Sequence, residues 1–221
     1  MKAFKLAAGR GERMRPLTDT VPKPLLLAGD EPIIVHTIRR LANAGVLDLV
    51  INISHLGHQV ETFLGSGEKL GVNIRYSHEE AALETAGGIV NAMPLLGDAP
   101  FILVNGDIWT DFDFATLVGR SLENCLAHLV MVNNPDHHPK GDFYLDNGKL
   151  VPGAGEALTY SGIGLYSPKM FSGLSPGKRP LAPILRQAIS NSQLSGEKFT
   201  GNWIDVGTPE RLSGLNKFLE K

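Results

Sequence analysis

Leu6-Ala7-Ala8-Gly9-Arg10-Gly11-Glu12-Arg13-Met14-Arg15-Pro16-Leu17-Thr18, followed by Pro22-Lys23-Pro24, decides how this chain is read. The stretch leaves a short β-like run, Ala3 to Ala8. Glycines at the end of a strand let backbone amides approach phosphate oxygens with no Cβ in the way. Two familiar phosphate loops are excluded by the residues present. A dinucleotide fingerprint needs a third glycine where Met14 stands, and a Walker loop needs a Gly-Lys-Ser/Thr that is absent. Three cations remain beside the turn: Arg13, Arg15 and Lys23. A guanidinium can bridge two phosphate oxygens, and a lysine acts as a point charge, so the set suits a triphosphate. Prolines stiffen the returning chain and fix where Lys23 points. On these residues alone, a plain glycine turn with solvated charges stays open.

Outward from this loop, β-like and helix-like runs alternate. Ile33, Val35, Ile38, Leu41 and Ala42 recur at helical spacing, and Leu49 to Ile53 reads as a second strand. Val60, Phe63 and Leu64 mark a short helix, Val72 to Tyr76 a strand, and Ile89, Ala92 and Met93 a helix after Gly88. Phe101 to Val104 is apolar throughout, as a buried parallel strand is. Strands separated by helices predict βαβ units, hence an α/β fold with a mainly parallel central sheet. Ligands then bind at the carboxyl ends of the strands, after Ala8, Ile53 and Val104. Beyond Val132 the texture changes. Asp146-Asn147-Gly148 predicts a hairpin turn, Thr159 to Tyr166 a strand broken by Gly162 and Gly164, and Pro209 to Leu219 the last helix. One domain over 1–221 is expected, with 1–132 mainly binding nucleotide and 133–207 forming a small β-rich sugar-phosphate part.

Lys plus Arg number 21 and Asp plus Glu 23, a formal charge of −2. No basic excess points to nucleic acid, and no polybasic tract points to a membrane surface. No apolar run approaches the ~18 residues of a membrane span, and no signal peptide is evident, so a cytoplasmic enzyme is expected. Cys125 is the one cysteine, which precludes an internal disulfide; its apolar run to Val132 reads as a buried strand. Lys5 stands out inside the first strand, because burying a lysine is costly unless it pairs or reaches water.

Two aspartates attract attention. Asp107 ends Val104-Asn105-Gly106-Asp107, at the carboxyl edge of the apolar strand. Asp205 lies in Trp203-Ile204-Asp205-Val206-Gly207-Thr208. Two carboxylates brought together suit Mg²⁺, a hard cation that keeps substrate phosphates in its shell. Asp205 also reads as a turn residue before a helix capped by Thr208 and Pro209. Asp111 and Asp113 read as a helix start. His55 and His58 share metal-like spacing without a third ligand and read as surface residues.

The long motif Leu6-Ala7-Ala8-Gly9-x-Gly11-x-Arg13-Met14-x-Pro16-Leu17-Thr18 with Pro22-Lys23-Pro24 resembles the signature of the sugar-1-phosphate nucleotidyltransferases. The resemblance implies a Rossmann-like three-layer fold, a Mg²⁺ cofactor, and a nucleoside triphosphate and a sugar 1-phosphate as substrates. It makes Arg13, Lys23 and Asp107 the catalytic set, with Asp107 and Asp205 on the metal. It places Leu6, Ala8, Gly9, Gly11 and Asn105 around the nucleotide. Glu84-Thr85-Ala86-Gly87-Gly88 resembles the family's segment beside the base, making Thr85, Gly87 and Gly88 base or ribose contacts through free helix-start amides. Glu79 or Glu80 would accept from the base N3–H. Asp142, Gly162 and His138 would face the sugar phosphate. The family's usual Glu-Lys-Pro clamp is absent.

Short length, Leu83-Glu84-Thr85-x-Gly87-Gly88, Ile108-Trp109-Thr110-Asp111, Asn134-Pro135-x-His137-His138 and Leu181-Ala182-Pro183 resemble the family members that act on UTP and N-acetylmuramate 1-phosphate in peptidoglycan recycling. The expectation is therefore UMP transfer by a monomer or small homo-oligomer. No acyltransferase extension follows Lys221, so a bifunctional enzyme is not expected. A hexose-1-phosphate enzyme using dTTP or GTP, and an inactive nucleotide-sugar sensor, stay open.

Overall fold

The computed structural model describes residues 1–153 and 155–220. The first half runs β1 (Lys2–Leu6), β2 (Leu27–Ala28), β3 (Glu31–Pro32), α1 (Ile33–Asn43), β4 (Asp48–Ile53), α2 (Gly57–Leu64), β5 (Asn73–His78), α3 (Glu84–Leu96), β6 (Phe101–Val104) and β7 (Ile108–Thr110). The second half adds β8 (Ala127–Val132), β9 (Phe143–Asp146), β10 (Lys149–Val151), β11 (Glu156–Tyr166), α4 (Ala182–Ser190), β12 (Leu194–Lys198), β13 (Trp203–Asp205) and α5 (Pro209–Leu219).

The central sheet has the order β5-β4-β1-β6-β11-β8-β12-β10-β9. Strands β5, β4, β1 and β6 are mutually parallel, as the alternation of strands and helices requires. Beyond β6 the expectation of a mainly parallel sheet fails. β11 lies antiparallel to both β6 and β8, and β9 and β10 add as an antiparallel hairpin, so the sheet is mixed. The cause is connectivity. No α-helix separates β8 from β11, and antiparallel strands need no crossover. A crossover helix returns only at α4, and β12 then lies parallel to β8.

Strand alternation sorts the core onto two faces. Ala3, Ile51, Ile102 and Val104 pack with α1 and α2, through Ile34, Ile38, Leu41 and Val60. Phe4, Val50, Phe101 and Leu103 pack with α3 and α4, through Ile89, Ala92, Leu185 and Ile189. A third cluster joins Met14 and Trp109 to Val206, Leu212 and Leu215, tying the glycine loop to α5. The Asn147-Gly148 turn has φ 45° and 78°, the doubly positive pair that a tight hairpin favours. Helix α3 begins at Glu84, ahead of the glycine pair rather than after it. Cys125 sits before β8 and is half-buried, not inside the strand.

Lys5 finds its account here. It is fully buried, and its Nζ donates to the Asn105 carbonyl at 2.6 Å and to Thr37 Oγ1 at 3.2 Å. The lysine thus ties β1 to α1 and to the loop that ends in Asp107. Burial pulls its pKa from 10.5 down to about 7, against the pull of Asp107 and helped by Lys23. Between those values the unfolded chain holds a proton that the folded chain lacks, so stability rises with pH there. Wild-type protein should therefore gain stability over Lys5→Met as pH rises from about 7 to about 9. Denaturant melts at each pH check this; a constant difference would contradict it.

Candidate nucleotide and sugar site

The carboxyl ends of β1, β4 and β6 open on a cavity of about 370 Å³. β1 delivers Leu6, and the loop beyond it adds Ala8, Gly9 and Gly11 to the wall. Gly11 takes φ 70°, and its carbonyl accepts from Met14 N and Thr18 Oγ1, both at 2.8 Å. A Cβ there would lie 3.0 Å from Thr18 Cγ2 and 3.2 Å from Lys23 Cβ, so the glycine lets the loop close on itself. That closure brings Arg13 and Lys23 to the same wall. Arg13 has no ion-pair or hydrogen-bond partner for its guanidinium among the described residues, whereas Lys23 Nζ lies 2.8 Å from Asp107 Oδ2.

Asn105 and Asp107 also line this cavity. Burial pushes the Asp107 carboxyl up, but the Lys23 ammonium outweighs it, aided by Lys5, and holds the pKa below the ordinary value. Gly106 between them packs so closely on the Leu6 carbonyl that a Cβ would overlap it. Gly162, expected at the sugar phosphate, does not line either cavity. It forms a bulge in β11 at φ 79°, its carbonyl accepts from Asn105 N at 2.8 Å, and a Cβ there would lie 2.6 Å from Asn105 Cγ. Its role is to seat Asn105. Gly162→Ala should cost about 1–3 kcal/mol and lower turnover with it, because the backbone strains at residue 162 and the new Cβ clashes with Asn105. A melt and an activity assay on the same protein check this.

The base side is built differently from expectation. Glu79 is buried and lines the cavity, while Glu80 is exposed. Glu79 Oε1 accepts from Asn52 Nδ2 at 2.7 Å, and Oε2 from Leu83 N at 2.9 Å. Asn52, in turn, accepts from Ala7 N at 2.7 Å. Asn52 lines the cavity and escaped the sequence reading; its signal was a lone amide within Leu49-Val50-Ile51-Asn52-Ile53. Thr85 lines the cavity, but Gly87 and Gly88 do not. Their expected free amides are not free at the helix start: Ala86 N and Gly87 N donate to Arg179 O. A Cβ on Gly87 would strike the Gly177 carbonyl, and one on Gly88 would lie 2.8 Å from Glu79 Oε1. These glycines admit neighbours within the protein.

Asp205, expected on the metal, lines neither cavity and is tied to Asp107 only through the backbone. β13 pairs antiparallel with β7, with Asp205 opposite Ile108, and Val206 N donates to the Asp107 carbonyl at 2.7 Å. The backbone segments that carry the two aspartates are therefore neighbours across the β7–β13 pair. The Asp205 side chain is engaged by Arg211 and lies 3.5 Å from His137 Nε2. Among the described residues no group of three or more His, Cys, Asp or Glu converges.

A second cavity of about 390 Å³ shares Glu84, Thr85 and Asn105 with the first. Asp142 and Tyr160 line it, with Asp142 Oδ2 accepting from Tyr160 N at 2.9 Å. His138 stands behind Asp142, its Nε2 3.1 Å from Oδ1, and is not on the cavity wall. The other wall is α4, which presents Ala182, Leu185 and Arg186 at positions i, i+3 and i+4. Nothing in the sequence beyond that spacing marked Arg186.

The family profile described as nucleotidyl transferase matches residues 2–143. The N-acetylmuramate alpha-1-phosphate uridylyltransferase of Neisseria meningitidis serogroup B is 52% identical over 96% of this chain and 95% of its own length. A mannose-1-phosphate guanyltransferase of Hypocrea jecorina is 32% identical; the alignment covers 99% of this chain and 64% of that protein. A Bacillus anthracis crystal structure described as a glucose-1-phosphate thymidylyltransferase, with sucrose bound, superposes with a TM-score of 0.88 at 26% identity, covering 99% of this chain and 94% of that one. No helix among the described residues is long and apolar enough to cross a membrane. The glycine loop, its free arginine and the lysine–aspartate pair all lie within the matched residues, and the chain belongs to the sugar-1-phosphate nucleotidyltransferase family.

Proposed function

We propose that this chain transfers UMP from UTP to N-acetylmuramate 1-phosphate, forming UDP-N-acetylmuramate and pyrophosphate, as a cytoplasmic step of peptidoglycan recycling. The observation that carries the substrate is the 52% identity across 96% of the chain to the Neisseria uridylyltransferase. The joined cavities support the reaction class. UTP would occupy the half lined by the glycine loop, Glu79 and Asn105, and the sugar the half lined by Asp142 and α4.

A phosphate oxygen of the sugar attacks the α-phosphorus of UTP; the new P–O bond forms as the bond to pyrophosphate breaks. The attacking oxygen is already anionic, so no general base is required. The protein's task is to position two polyanions and offset their charge. Arg13 and Lys23 do this on the triphosphate side, and Asn105 lies at the junction of the two halves. Asp107 and Asp205 would hold Mg²⁺, since two carboxylates with substrate oxygens and water make an ordinary magnesium shell. Bound there, the ion would supply further charge neutralisation. Lys23 and Arg211 occupy these carboxylates meanwhile.

Mass spectrometry of the products from UTP, dTTP, GTP and CTP, each with N-acetylmuramate 1-phosphate, tests the reading. UDP-N-acetylmuramate should dominate. A minor thymidylylated product fits as well, because one methyl is discriminated by only ~1–3 kcal/mol. Preference for GTP would support the guanylyl reading that the Hypocrea relative favours.

A further inference from the structure

We infer that Arg186 is the specificity-determining residue that reads a carboxylate on the sugar, so that the second cavity takes an acidic amino sugar rather than a neutral one. The inference rests on the uridylyltransferase reading above, which places the sugar in that cavity.

Three charged side chains line this half: Glu84, Asp142 and Arg186. The two acids are engaged. Glu84 Oε1 lies 3.5 Å from Lys178 Nζ, and Asp142 is held by His138 and by the Tyr160 amide. The Arg186 guanidinium has no ion pair and no hydrogen bond among the described residues, although it sits on a helix that otherwise turns apolar side chains to the cavity. Only Arg13, in the first cavity, is a comparably free cation lining this site among the described residues.

The chemistry of the substrate assigns the two arginines different work. The 1-phosphate must lie near the α-phosphorus, at the junction marked by Thr85 and Asn105 and toward Lys23 and Arg13. Arg186 lines only the second cavity, away from that cation pair. It therefore faces the body of the sugar, not its phosphate. A lactyl ether on the sugar ring ends in a carboxylate, which the planar fork of a guanidinium matches with two parallel hydrogen bonds. The neighbouring Ala182 and Leu185 would meet the methyl groups of the lactyl and acetamido substituents. A neutral hexosamine would leave the guanidinium with water alone, losing the pairing without incurring repulsion.

The test compares kcat/KM for N-acetylmuramate 1-phosphate and N-acetylglucosamine 1-phosphate in wild-type protein, Arg186→Ala and Arg186→Lys. Arg186 is exposed, so the variants should melt as wild type does. Arg186→Ala should lose about 10- to 100-fold with the muramate substrate and less than about 3-fold with the glucosamine one, the scale of one charge-assisted pair. Arg186→Lys should recover part of the loss, because it keeps the charge but not the fork. An equal loss with both sugars would overturn the inference and move Arg186 to the phosphate. No loss with either would overturn it as well. Wild-type protein that does not favour the muramate substrate would instead refute the uridylyltransferase reading itself, a result visible before any variant is made.

Discussion

Asp107→Ala protein should fold and lose at least about 10²-fold in turnover, the scale of removing one main electrostatic element from a phosphoryl-transfer site. Asp107 is held rigidly by three separate features. Gly106 packs on the Leu6 carbonyl, Val206 N donates to the Asp107 carbonyl, and Lys5 ties the Asn105 carbonyl from below. The carboxylate is thus presented on a fixed frame, with Lys23 2.8 Å away. Its loss removes a candidate metal ligand and frees Lys23. The frame itself depends on backbone groups, so the circular dichroism spectrum should change little. Steady-state pyrophosphate release decides the matter, and near-normal turnover by folded Asp107→Ala would remove the metal assignment.

Arg13→Ala should fail mainly in kcat, by about 10²-fold, with a smaller change in KM for UTP. Arg13 is exposed, lines the nucleotide half and pairs with no acid among the described residues, so its removal should not lower the melting temperature. Its charge matters most as pyrophosphate departs, which is a transition-state contribution. A Cβ on Gly207 would lie 3.2 Å from Arg13 Nη2, placing the guanidinium against the turn that follows Asp205. A defect confined to KM would instead mean that Arg13 binds substrate and transition state equally.

Legibility in the sequence followed physics that acts locally. The glycine loop could be read because a strand end, two glycines and the cations Arg13, Arg15 and Lys23 lie within one short stretch. Asp107 could be read because an apolar strand runs directly into it. The hairpin was set by Asn147-Gly148, whose positive φ angles few other pairs adopt so readily. The direction of β11 could not be read, since an apolar strand pattern is the same in either orientation. Gly162 and Gly87 were visible as glycines, but what each makes room for depends on Asn105 and on the 177–179 loop, which meet them only in the fold. Asn52 and Lys5 are single buried polar residues in largely apolar strands. Their partners lie far along the chain, as in Lys5 with Asn105 and Asn52 with Glu79. Asp205 was legible as a candidate, yet its engagement by Arg211 was not.

The proposed activity is a UTP-dependent transfer onto an acidic amino sugar 1-phosphate. Pyrophosphate release with UTP and Mg²⁺ tests it most directly, comparing N-acetylmuramate 1-phosphate, N-acetylglucosamine 1-phosphate and glucose 1-phosphate. The predicted result is rapid release with the muramate substrate and much slower release with the other two. Release led by a neutral sugar would contradict the substrate, and no release with any of the three would contradict the activity.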